Sequence, residues 1–193
     1  MKPDDVLRSI EQEARLGDLP IIGPVRGVLL DEVINEHHPT KILEVGTLVG
    51  YSAIRMARLL KKGGRITCVE LNPDLAKVAA SNFGKAGLAD RVEVLVGDAK
   101  SVLPRVEESY DMVFLDAVKG EYLQYLRSCE RLLHSGSVVV ADNVKSHSEE
   151  VADYLDYVRN SGRFSSTYRE AEADHGHGAR NSEPDAVEVS VML

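Results

Sequence analysis

The chain contains no tryptophan, and only 5% of its 193 residues are aromatic. A pocket walled by indole rings is excluded, so a planar ligand must be held by smaller side chains. Cysteine is equally scarce. Cys68 and Cys129 stand far apart without CxxC spacing, which argues against both a disulfide scaffold and a thiolate metal site. Cys68 lies within the run RITCVE, the setting of a small buried hydrophobe. No apolar run approaches the ~20 residues of a membrane span. The opening MKPDDVLRS lacks the basic start and apolar stretch of a signal peptide, so a cytoplasmic location without membrane contact is the expectation. Basic charge is also in deficit: 23 Lys and Arg stand against 31 Asp and Glu, a formal net charge of −8. Phosphate backbones need basic surface, which disfavours nucleic acid as a partner.

What remains is an ordinary globular composition, 44% hydrophobic and 28% charged, on a length that suits one domain over residues 1–193. Residues 1–40 read as two amphipathic helices. Val6, Leu7, Ile10 and Ala14 recur at helical spacing, and a second stretch runs from about Val25 to Glu36. From 41 to 144 short apolar runs alternate with longer amphipathic ones (KILEV, YSAIRMARLLKK, RITCVE, PDLAKVAASNFGKAG, RVEVLVG), the rhythm of a parallel sheet with crossover helices. Residues 145–193 supply a last helix and two strand candidates, FSSTYREA and AVEVSVML, which a hairpin accounts for most simply. Alternation of Val187, Val189 and Val191 with Glu188 and Ser190 suggests that the last strand has one wetter face.

Two buried-strand candidates end in hard oxygen ligands: Met112 to Asp116 closes on Asp116, and Ser137 to Asn143 closes on Asp142 and Asn143. In open α/β sheets ligands sit beyond the carboxyl ends of the strands, so an acid closing an apolar run faces the site. Either acid alone could equally open a loop. Three further strand ends point the same way. ILEVGTLVGYSAIRMA is a strand, glycine turn and helix in which Gly46 and Gly50 allow close backbone approach to a ligand. Its GTLVG spacing is not the GxGxxG of dinucleotide folds, which disfavours hydride transfer. Glu70 closes the next strand where an acid can accept both hydroxyls of a ribose, and Gly97-Asp98-Ala99 follow the strand after it.

With ILEVGTLVGYSAIRMARLL, CVELNPDLA, VGDAKSVLPRV, YDMVFLDAVKGEYL and VVVADNV in view, the chain resembles the magnesium-dependent catechol O-methyltransferases among the S-adenosylmethionine-dependent enzymes. The matching text spans about Lys41 to Val144, and DAVK with ADN is its most specific part. The resemblance implies a single-domain, Rossmann-like α/β fold with a seven-stranded, mostly parallel sheet and a C-terminal antiparallel hairpin. It also implies Asp116, Asp142 and Asn143 as Mg²⁺ ligands and Lys119 as catalytic base. Glu70 would hold the cofactor ribose. Ile22, Glu44, Gly46 and Ser52 would lie at its methionine end, Gly97, Asp98 and Ala99 at its adenine, and Asp116 near its sulfonium. A late acid orients the second substrate hydroxyl in this family, and an ungapped reading gives Asp174, with Glu170 and Glu172 nearby. The partner would be a small aromatic diol, and the protein a monomer or homodimer. Caffeoyl-coenzyme-A-type O-methyltransferases share the constellation and stay open as an alternative, as does another small-molecule methyltransferase of the same fold.

The implied chemistry is coherent. A phenolic hydroxyl with a pKa of about 10 needs roughly 4 kcal/mol of preferential stabilisation to ionise at neutral pH, which a divalent cation supplies as a Lewis acid. Magnesium keeps octahedral oxygen coordination, so three protein ligands leave room for two adjacent hydroxyls and a water. N-methyl or aminopropyl transfer does not need the Asp142-Asn143 metal pair, and an inactive binding subunit needs no Lys119. The family walls its pocket with tryptophan. Here Val118 precedes Lys119, and Asp18, Leu19 and Pro20 form the N-terminal wall, implying a wider pocket or a different ring. His175 and His177 lack a third ligand, and Tyr122 and Tyr125 read as packing residues.

Overall fold

Helical spacing of apolar residues sets the first two elements. In the computed structural model, which describes residues 1–17, 19–173 and 183–193, α1 (Pro3–Gly17) buries Val6, Leu7, Ile10 and Ala14. Helix α2 (Gly23–His37) buries Leu30, Val33 and Ile34, together with Arg26 on the same stripe.

The alternating core follows in chain order: β1 (Lys41–Val45), α3 (Tyr51–Ala57), β2 (Arg65–Glu70), α4 (Pro73–Lys85), β3 (Val92–Val96), α5 (Ala99–Val102), β4 (Met112–Leu115), α6 (Tyr122–Cys129), β5 (Val138–Ala141) and α7 (Ala152–Asn160). Strands β6 (Phe164–Ala171) and β7 (Asp185–Met192) complete it. The seven strands form one sheet in the order β3-β2-β1-β4-β5-β7-β6. Neighbours among β1 to β5 pair in parallel, while β7 runs antiparallel to both β5 and β6. Successive strand residues face opposite sides, so Ile42, Met112 and Val138 pack with α1 to α4, and Leu43, Val113 and Val139 with α5 to α7. Strands buried on both faces explain why these runs are continuously apolar instead of alternating.

The expected wetter face of the last strand is corrected. Glu188 is 1% and Ser190 0% exposed. Strand β7 is inserted between β5 and β6 and is not an edge, so its polar residues are covered by α7 and satisfied there. Arg159 of α7 grips Glu188 with Nε–Oε1 at 2.7 Å and Nη2–Oε2 at 2.6 Å, and Ser190 shares a hydrogen bond with Ser166.

The order places β1 between β2 and β4, with connections leaving in opposite directions. That switch point opens a crevice at the carboxyl ends of the strands. Gly46 makes the approach close: its φ is +89°, and a Cβ there would lie 2.3 Å from the Asp116 carbonyl oxygen. Only glycine lets the loop after β1 settle against the end of β4.

Candidate active site

A cavity of about 920 Å³ occupies this crevice. Ile22, Gly46, Ser52 and Glu70 line one part of it, Gly97, Asp98 and Ala99 another, and Asp116, Lys119 and Asn143 the far end. The structure therefore gathers ten of the residues singled out in sequence around one space. Asp174 lies outside the described residues, as do His175 and His177.

Glu70, 8% exposed, is fixed by the main chain. Its Oε2 accepts from Leu48 N at 2.9 Å and Thr47 N at 3.3 Å, and its Oε1 from Asn72 N at 2.9 Å. The carboxylate is thus aimed before any ligand arrives. Asp98 is the N-cap of α5 and accepts from Lys100 N at 2.9 Å.

Glu44 stands behind the cavity wall, fully buried, and reaches it through the hydroxyls of Ser52 and Thr47, both of which donate to its carboxyl. Burial raises that carboxyl to about 7 despite these hydrogen bonds, and the charge of Asp116 adds to the rise.

At the far end, Lys119 Nζ donates to Asp116 Oδ1 at 2.7 Å and to Tyr122 Oη at 2.8 Å. The Tyr122 hydroxyl in turn donates to the Asp142 carbonyl at 3.2 Å. Tyr122 does pack the core, at 0% exposure, but its polar end also links the candidate base to the end of β5. Asp142 is itself 0% exposed, and its Oδ1 has no hydrogen-bond partner among the described residues. Burial pushes its carboxyl above the ordinary carboxylate range, with Arg26 opposing and Asp116 reinforcing the shift. Asn143 adopts φ +61°, a left-handed conformation that asparagine tolerates better than most residues.

Asp185, Arg26 and Ser146 escaped the sequence reading. Asp185 heads β7 and is 3% exposed. It accepts from Asn143 Nδ2 at 2.8 Å, Ser146 Oγ at 2.7 Å and Ser146 N at 3.1 Å, and so clamps the loop that carries Asn143. Burial works against its ionisation, but these hydrogen bonds outweigh that cost and hold its carboxyl below the usual value. The pairing of β5 with β7 brings it here, and no local pattern announces that pairing. Arg26 did leave a signal: a cation among Leu30, Val33 and Ile34 on the buried stripe of α2.

Among the described residues no three His, Cys, Asp or Glu side chains assemble as a metal-binding group. The donors on offer are two carboxylates, Asp116 and Asp142, and the Asn143 amide. Hard oxygens are the ligand type that Mg²⁺ prefers, and the open Asp142 Oδ1 is an acceptor that lacks a donor, so the residues present fit such an ion.

The O-methyltransferase family profile matches residues 7–171. Catechol O-methyltransferase B of Danio rerio is 37% identical, the alignment covering 99% of this chain and 73% of that protein. The Sus scrofa catechol O-methyltransferase is 42% identical over 76% of this chain and 82% of its own length. Among solved structures, an O-methyltransferase from Bacillus cereus in complex with SAH superposes with a TM-score of 0.85 at 28% identity, covering 98% of this chain and 91% of that one. The O-methyltransferase TomG of Streptomyces achromogenes, in complex with SAM, gives 0.83 at 28% identity, covering 97% and 89%. With its cavity at the sheet's switch point and its likeness running over nearly the whole length, the chain belongs to the O-methyltransferase family and is an S-adenosylmethionine-dependent O-methyltransferase.

Proposed function

We propose that the protein methylates one hydroxyl of a catechol-like vicinal diol and requires Mg²⁺, held by Asp116, Asp142 and Asn143. The observation that carries this reading is the juxtaposition at the ends of β4 and β5: a lysine paired with the Asp116 carboxylate, and a second carboxylate, Asp142, whose buried Oδ1 has no hydrogen-bond partner among the described residues. When bound, Mg²⁺ supplies Lewis-acid stabilisation of the substrate oxyanion.

This chain's own residues do the rest. Glu70 accepts the ribose hydroxyls, and Glu44 with Ser52 and Thr47 receives the methionine end, orienting the sulfonium methyl toward the far end of the cavity. Once its ammonium has given up a proton to solvent, Lys119 takes the proton as the substrate O–H bond breaks. The oxygen then forms its bond to the methyl carbon as the sulfur–methyl bond breaks, leaving S-adenosylhomocysteine and a protonated Lys119. Asp116 and Tyr122 keep the Lys119 nitrogen in place, and most of the acceleration comes from holding oxygen, carbon and sulfur in line.

The charge of the wall favours a small diol over a coenzyme A thioester. Among the described residues the cations lining the cavity, Arg26, Lys100 and Lys119, are each already paired with a carboxylate, so none is spare for phosphate groups. With no tryptophan in the chain and Val118 half-exposed beside Lys119, no indole closes over the site, which suits a substituted ring. The test is a comparison of matched substrates. A 3,4-dihydroxy aromatic acid should be methylated and its 4-hydroxy analogue should not. Equal turnover of the two would contradict a site built for adjacent hydroxyls.

A further inference from the structure

The proposed mechanism gives Arg26 no part in proton or methyl transfer, yet the residue is buried between the acids at the end of β5 and the head of β7, 6% exposed. Its Nη2 stands 3.5 Å from Asp142 Oδ2 and its Nη1 3.4 Å from Asp185 Oδ2. These separations lie beyond the usual range of directed hydrogen bonds, so the attraction is mainly one of charge. The Arg26 Nε is buried without a partner among the described residues, as is Asp142 Oδ1. An open donor and an open acceptor thus persist on two ion-paired side chains where burial makes each of them costly. In the whole group three carboxylates, Asp116, Asp142 and Asp185, face two cations, Lys119 and Arg26.

We propose that Arg26 is the internal counter-cation of this group, holding Asp142 and Asp185 together while no metal is bound and competing with a divalent cation for Asp142. The inference rests on the metal reading given under the proposed function. Its consequence is a site whose affinity is held down by a resident charge, so that occupancy follows the free cation concentration instead of saturating at trace levels. The rest of α2 is anchored independently. A Cβ on Gly27 would lie 2.6 Å from Arg55 Nε, which donates to Gly27 O at 2.8 Å and to Asp31 Oδ1 at 2.9 Å. Removing the Arg26 head group therefore leaves the helix seated.

The test is calorimetric titration of Mg²⁺ into the full chain without cofactor, with parallel thermal melts in chelator and in Mg²⁺, for the wild type, Arg26→Met, Arg26→Gln and Arg26→Lys. The neutral variants should bind Mg²⁺ roughly tenfold or more tightly than the wild type, because a like charge beside the ion is gone. They should also melt lower in chelator and gain more from Mg²⁺. Arg26→Lys, which keeps the charge, should stay within about threefold of the wild type. Arg26→Gln retains a hydrogen-bonding head and carries the same expectation where the Met variant does not fold. Unchanged or weaker Mg²⁺ binding in a folded neutral variant overturns the proposal and leaves Arg26 as packing or donor scaffolding; so does a Lys variant that binds like Met. A wild type that binds no divalent cation overturns the metal reading itself, which is a separate failure.

Discussion

Lys119 sits where a cation has two reasons to stay, Asp116 on one side and the Tyr122 hydroxyl on the other. Both partners fix its nitrogen, and neither belongs to the part of the cavity assigned to the cofactor ribose or adenine. Lys119→Ala should therefore lower methyl transfer by about 10²–10⁴-fold, the span typical of a lost general base, while S-adenosylmethionine affinity stays within about twofold. A large loss of cofactor affinity in equilibrium titration would contradict its role. Glu44 gives a second prediction, in pH. Its carboxyl rises to about 7 in the folded chain against about 4.5 in its ordinary state, chiefly through burial. A carboxyl raised on folding binds its proton more tightly in the native state, so the contribution of Glu44 to stability is fully present below about 4.5 and is lost as pH climbs through about 7. The full difference is about 3 kcal/mol. Glu44→Gln should flatten this window, so that the cofactor-free variant melts above the wild type at pH 8 and level with it near pH 5. A wild-type slope retained in the variant would place the titration elsewhere.

At the scale of elements, β7 decides more than its sequence reveals. It supplies Asp185 to the site and buries Glu188 against α7 through a two-pronged contact with Arg159. Arg159→Ala would leave a buried carboxylate without its partner, which costs about 3–5 kcal/mol when burial is complete and less here, because Arg159 is itself 42% exposed. A loss of about 2 kcal/mol in urea unfolding is expected, and a loss below about 0.5 kcal/mol would mean that water already satisfies Glu188. The same strand marks where sequence legibility ends. Helical spacing located α1 and α2, and apolar runs closing on Asp116 and Asp142 located β4 and β5, because those signals are local. The insertion of β7 between β5 and β6 is a long-range pairing. Alternating valines look the same on a half-wet edge as on a strand whose polar residues meet a covering helix. Asp185 was illegible for that reason, whereas Arg26 was legible as a charge on an apolar stripe and was passed over.

For the molecule as a whole, the sheet's switch point brings together what the chain keeps far apart: a glycine turn after β1, the carboxylate of Glu70 at the end of β2 and oxygen donors after β4 and β5. The residues proposed to hold the cofactor lie in contiguous motifs, so their gathering around one cavity was readable from one sequence. The half proposed for metal and substrate draws on α2, the loop after β5 and the head of β7, and only the fold assembles it. The central claim joins the two halves through a cation, and it is tested most directly by transfer of labelled methyl from S-adenosylmethionine to 3,4-dihydroxybenzoate, in Mg²⁺ and in excess chelator, for the wild type and Asp142→Ala. The expected result is methylated product from the wild type in Mg²⁺ alone, with activity and Mg²⁺ response lost together in Asp142→Ala. Turnover that survives the chelator, or an Asp142→Ala enzyme still stimulated by Mg²⁺, would contradict the account.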